Sequence, residues 1–187
     1  ALERMAQALQ ADPANDELRY DYIKLLIGSG DLDQAAAQLA PTLARIPVPL
    51  QFEALQQWLN ALEFVGNDPR GQWPLQKFDE AIAANKRDFA ARFAKARVLM
   101  AANEWVAALD ELLEIIMRDK KWDEEAPRKT FVAILELLTP PKPKAAAPDA
   151  SGKSAGGIEL AGPTTVQQDE QAALVSAYRR KLSMALN

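Results

Sequence analysis

Apolar residues recur at spacings of three and four along nearly the whole chain, and no segment alternates apolar and polar positions between turn signals. That rhythm puts apolar side chains on one face of a helix and lacks the two-residue period of a strand. The chain therefore reads as all-α. A longer period sits on top of the first. Pro13, in the motif ADPAND, follows an apolar helix in which Ala8 and Leu9 face inward, and 34 residues later Pro47 follows a second helix ending LARI.

A helix–turn–helix unit repeating at about 34 residues predicts a tetratricopeptide-type solenoid, because each unit buries its apolar face only against its neighbours. The unit at about 16–49 is the easiest to follow. One helix spans Asp16 to Gly28, with Leu18, Tyr22, Ile23 and Leu26 on one face. Ser29-Gly30-Asp31 makes the turn, and Leu32 to Arg45 forms the partner helix with Ala35, Leu39 and Leu43 at the crossing. The unit at 89–122 carries Phe93, Ala96, Leu99 and Met100 in its first helix, with Trp105, Ala108, Leu112 and Ile115 in its second. Asn103 stands where the turn glycine would be, and asparagine tolerates left-handed geometry. Ala35 and Ala108 are equivalent positions, two periods plus five residues apart, and the extra five fall around Pro47-Val48-Pro49-Leu50.

The unit between them, 50–88, is degenerate: a helix from about Gln51 to Val65, a long turn from Gly66 to Pro74, then Phe78, Ala81 and Ile82 in a second helix. A further helix is expected over 123–138, where Pro127 falls in the tolerant first turn. Residues 139–167 hold five prolines and four glycines and read as a linker. An amphipathic helix is expected over 168–187. Residues 1–12 look like the second half of a repeat whose first helix is missing, which points to a piece of a longer protein.

Composition narrows the function. Hydrophobic residues make up 49% of the chain, so it can bury a real core. The net charge of −4 without a basic run offers no footprint for nucleic acid and no anchor for an anionic membrane. No stretch is long and apolar enough to span a bilayer, and the charged N-terminus does not read as a signal peptide. With no cysteine and no histidine, disulfides, thiol chemistry, zinc sites on those ligands and histidine-based catalysis are excluded from this chain. No cofactor, no metal and no catalytic group is expected. Asp110, Glu111 and Glu114 lie on one helix with no facing acid across a cleft, and read as solvated.

Two segments add a resemblance. EWVAALDELLEIIMRDKKWDEEAPRKTFVAILELL (104–138) and AYRRKLSMALN (177–187) together resemble the C-terminal tetratricopeptide region of the bacterial thioredoxin-like co-chaperones, the chaperedoxins. Residues 50–138 and 168–187 carry the likeness, and 1–49 fit as ordinary repeats. The resemblance implies a thioredoxin domain ahead of such a region, a cytosolic (cytoplasmic) location, and a helper that binds unfolding client proteins and cooperates with the chaperonin or Hsp70 systems. The family joins its last two helices by a short loop, whereas 29 residues intervene here.

Three surfaces are candidates for binding. In such solenoids the first helices line a concave groove; this register places Tyr20, Lys24 and Ile27 there from one repeat and Phe93, Arg97 and Met100 from another. Apolar groups between single basic charges suit extended clients, and methionine adapts to varied partners. The competing reading packs Tyr20, Phe93 and Met100 against the next repeat. In the last helix, Leu174, Tyr178, Leu182 and Leu186 form a stripe, with Val175 and Ala185 beside it. That stripe either enters a partner's groove, with Arg179 or Arg180 meeting acidic groups, or folds back as the cap a solenoid needs. Of the tryptophans, Trp58, Trp105 and Trp122 read as packing and Trp73, beside Pro74, as the exposed one. A plain adaptor for one defined peptide is the alternative to the co-chaperone reading.

Overall fold

The computed structural model describes residues 1–141 and 163–187. Nine α-helices occupy these described residues: α1 Leu2–Ala11, α2 Asp16–Ser29, α3 Leu32–Leu43, α4 Leu50–Asn67, α5 Leu75–Ala84, α6 Phe89–Ala101, α7 Trp105–Arg118, α8 Ala126–Leu138 and α9 Pro163–Leu186. Short 3-10 turns fall at Pro69–Gln72 and Trp122–Glu125, and the described residues contain no strand.

Local chemistry sets the helix ends. The side chains of Asn15, Asp31 and Asp88 accept from the backbone N–H groups of Leu18, Gln34 and Ala91, at 3.1, 3.3 and 3.0 Å. Each such cap stabilises its helix by about 1 kcal/mol. Gly30 closes α2 at φ 86°, and Asn103 takes φ 61° between α6 and α7. Those are the two positions where the repeat pattern called for left-handed backbone.

Consecutive helices pack on each other except at α4 and α5, which the 3-10 turn separates, and the pairs stack through α4 against α2 and α6. The stack then departs from a simple ladder. α8 packs chiefly on α4 and α7, not on α6. The cause lies in the segment before it. Asp123, Glu124 and Glu125 all take left-handed dihedrals, with φ of 50°, 54° and 64°, a conformation unfavourable by roughly 1–2 kcal/mol for each such residue. The helix expected from 123 therefore starts at Ala126, after a reversal that redirects the chain. Pro127 lies in its first turn, as that position allows.

α8 joins two apolar clusters. Phe131, Ile134 and Leu135 enter the one formed by α6, α7 and α9. Ala133 and Leu137 enter the other, with Ile23, Leu39, Phe52 and Leu55 from α2, α3 and α4. α9 starts at Pro163, five residues ahead of the expected 168. The expected linker, 139–167, thus keeps 139–141 and cedes 163–167 to α9, and its remainder lies outside the described residues. The turn expected over Gly66–Pro74 is shorter than its composition suggested, because α4 continues to Asn67 and Asp68 caps a 3-10 turn by accepting from the Arg70 N–H at 2.9 Å.

That 3-10 turn sits directly on α4. A Cβ added at Gly71 would stand 2.4 Å from the Val65 carbonyl oxygen and 2.5 Å from its Cα, with no flexible side chain to yield. Gly66 meets nothing within 4 Å. Gly71→Ala is expected to destabilise the protein by about 2 kcal/mol through forced backbone displacement, whereas Gly66→Ala, inside a helix, gains about 0.5–1 kcal/mol. Urea unfolding of the two variants checks both signs.

Candidate protein-binding cleft

The structure sorts the expected groove residues into three places. Ile27, Phe93 and Met100 are in the core, at 4%, 6% and 0% exposure, and are removed from the groove. Their helices are apolar on more than one face, because α2 and α6 are each covered by a partner helix and by α4. Arg97 lies elsewhere, half-buried, its guanidinium 5.3 Å from the Phe64 ring centroid and 4.4 Å from that of Phe93. Burial lowers its pKa, an effect that Asp123 and Asp68 oppose and Arg70 reinforces. Tyr20 and Lys24 do face inward, but toward α8: the Lys24 ammonium donates to the Leu137 carbonyl at 3.4 Å, where a cation suits a helix C-terminus. The end of the chain's own α8 thus occupies part of the surface expected to be open.

The stripe on α9 is turned toward its own repeats. Val175, Tyr178 and Leu182 are buried in the cluster of α6, α7 and α8, with Leu174, Ala185 and Leu186 packed against it. The Tyr178 hydroxyl donates to Asp110 at 2.7 Å, and Gln171 donates to the Leu138 carbonyl. Of the two uses open to that stripe, the structure shows the cap. Arg179 remains exposed.

The acidic residues of α7 need a second correction. Glu111 is not solvated; its side chain is 16% exposed and bridges Arg92 and Lys95, while Lys95 also reaches Asp79 at 2.8 Å. Burial drives the Lys95 ammonium down, and its bonds to Asp79 and Glu111 more than reverse that. This network ties α5, α6 and α7 together. Asp110 serves Tyr178. Among the described residues no group of acids is arranged to hold a metal, and no helix is long and apolar enough to cross a membrane.

Where α2, α4, α7, α8 and α9 converge, they leave an open cleft of about 790 Å³. Trp58 and Trp105 stand edge to face in its wall, ring centroids 5.6 Å apart. Leu137, Leu138 and Leu174 add aliphatic surface, and Lys24, Glu104 and Glu170 supply charge. Two residues from separate sequence candidates, Lys24 and Leu174, meet here. Val106 at the rim is 40% exposed. The indole N–H of Trp58 is buried and has no acceptor, a state that costs about 1–3 kcal/mol. Trp73, expected to be exposed, is half-buried against Phe78 at 5.2 Å and under the Lys77 ammonium at 4.1 Å. Trp122 packs edge-on against Phe89 and Phe93. The pairing of Trp58 with Trp105 spans two repeats, so no local pattern in the sequence could have shown it.

The cleft and the stacked helix pairs define a helical-repeat scaffold for binding proteins. Comparison with known families agrees. Two sequence profiles described as tetratricopeptide repeat match the chain, one over residues 1–59 and one over 70–147. The chain is therefore an all-α tetratricopeptide solenoid closed by a C-terminal helix. Neither a curated protein nor a solved structure matches it significantly.

The two half-hidden phenols give the fold an alkaline limit. Burial, then the bond to Asp110 and its charge, push the Tyr178 hydroxyl up to about 12. Burial, with Glu136 and Asp21 adding to it, puts Tyr20 at about 12 as well. In the unfolded chain both titrate near 10. Between pH ~10 and ~12 the unfolded state has lost protons that the folded state keeps, so stability falls as pH rises through that window. Unfolding titrations from pH 9 to 12 are expected to show the fall, and Tyr178→Phe to reduce it while costing about 1 kcal/mol at neutral pH.

Proposed function

We propose that this chain is the protein-binding helical-repeat region of a thioredoxin-like co-chaperone, holding unfolding clients and meeting a chaperone partner of the chaperonin or Hsp70 systems in the cytoplasm. The observation that carries the reading is the aromatic cleft at the junction of α2, α4, α7, α8 and α9. It is concave, lined half by apolar and half by polar side chains, and only partly closed, so it accepts varied side chains without a chemical step. Lys24, Tyr20 and Leu174 belong to or border this surface, and Arg179 is an exposed cation on α9. A second apolar surface supports a second contact: Met117 and Met184 are 53% and 78% exposed, with Leu113 and Ala185 beside them. Flexible thioether side chains suit partners of varied shape.

A single bounded cleft also fits an adaptor that takes one defined peptide, and solution behaviour separates the two. The co-chaperone reading expects the full chain to suppress aggregation of several unrelated unfolding proteins at near-stoichiometric ratios, and to co-sediment with bacterial chaperonin. Met184→Glu with Arg179→Glu, both on exposed positions, is expected to weaken co-sedimentation several-fold while leaving helical content unchanged. Saturable binding of one sequence with no suppression of aggregation establishes the adaptor instead.

A further inference from the structure

The cleft carries information about the chemistry of what enters it. We propose that it takes a polypeptide segment in which an apolar side chain is flanked by lysine or arginine. This rests on the protein-binding reading above and adds the character of the bound segment. Its apolar part follows from the walls: Trp58, Trp105, Leu137 and Leu174 face a space of about 790 Å³. That lies within the ~300–1,000 Å³ typical of ligand pockets, more than one side chain fills.

The flanking charge follows from the sum at the rim. Among the described residues one cation, Lys24, and two carboxylates, Glu104 and Glu170, line the cleft. The two lining carboxylates are free. Glu104 occupies the N-cap position of α7 without making a capping bond, and Glu170 lies on the exposed side of α9. Neither carboxylate makes an ion pair or a hydrogen bond among the described residues. The charge left for a ligand is therefore negative, and a cation beside the apolar anchor meets it, while an acidic segment is repelled.

Two fluorescein-labelled peptides with the same leucine-rich core test this, one flanked by lysines and one by glutamates. Each is titrated with the full chain and followed by anisotropy at low salt. The lysine-flanked peptide is expected to bind roughly tenfold tighter, the scale of two exposed charge pairs. Glu104→Lys combined with Glu170→Lys is expected to abolish or invert that preference with no change in circular dichroism. Trp105→Ala is expected to weaken both peptides. Equal binding of the two peptides, or a preference that survives charge reversal, overturns the proposal and leaves protein binding standing. So does a chain that suppresses aggregation yet binds neither peptide. If it binds neither and suppresses nothing, the co-chaperone reading falls as well.

Discussion

Helix α8 holds this molecule together. One side of it supplies Phe131, Ile134 and Leu135 to the cluster built on α6 and α7, and another supplies Ala133 and Leu137 to the cluster built on α2, α3 and α4. A linear stack of repeats has only nearest-neighbour interfaces, so its ends open independently. Here the last helix of the second profile match returns to α4, and the two halves share a buried wall. The left-handed run Asp123–Glu125 is the strained turn that this return requires. Strain of that kind persists only where surrounding packing over-determines it, and the complete burial of Phe131 and Ile134 supplies that packing.

Placing α8 across α4 has consequences for the surface. It brings the C-terminus of α8 beside Lys24 and Tyr20, and so fills part of the inner face that an open solenoid would present. It also leaves a gap at the end of α8, where helices α2, α4 and α7 diverge and α9 closes one side. The aromatic cleft is that gap. Its lining comes from five helices, one residue each from α2 and α4, two each from α7 and α8, and four from α9. Capping by α9 works in the same way. The helix hides Val175, Tyr178 and Leu182, satisfies the Tyr178 hydroxyl with Asp110, and turns Arg179 and Met184 outward. One element thereby covers an apolar end and offers a different face to a partner.

A network of charges is organised between α5, α6 and α7. Arg92, Glu111, Lys95 and Asp79 link three consecutive helices through shared contacts. Pairing of this sort specifies how helices meet more than it stabilises them, because desolvation offsets much of the attraction. Arg92 keeps one guanidinium nitrogen, Nε, without a partner. The network was invisible as such in the sequence. Glu111 sits beside Asp110 and Glu114 on a helix that looks solvated, and only the approach of α6 and α5 removes water from it.

The class of fold, the helix–turn–helix register and the positions of the main turns were legible in the residue pattern. They depend on interactions within about four residues: apolar spacing on a helix face, side-chain caps at Asn15, Asp31 and Asp88, and left-handed backbone at Gly30 and Asn103. Absence of cysteine and histidine likewise excluded whole classes of chemistry with no structure needed. What the pattern did not contain was direction. An apolar face shows that Ile27, Phe93 and Met100 have a companion, and the same signal serves a groove or a core. The choice was made when α4 and the partner helices α3 and α7 covered them. The turn at Asp123–Glu125 has no glycine or asparagine to announce it, so the reversal of α8 escaped local reading. The meeting of Trp58 with Trp105 joins α4 to α7, and Lys24 and Leu174 line one cleft with the end of α8. Helices are encoded by neighbours in the chain, whereas surfaces between them depend on which distant faces exclude water together, and that was decided by the tertiary packing alone.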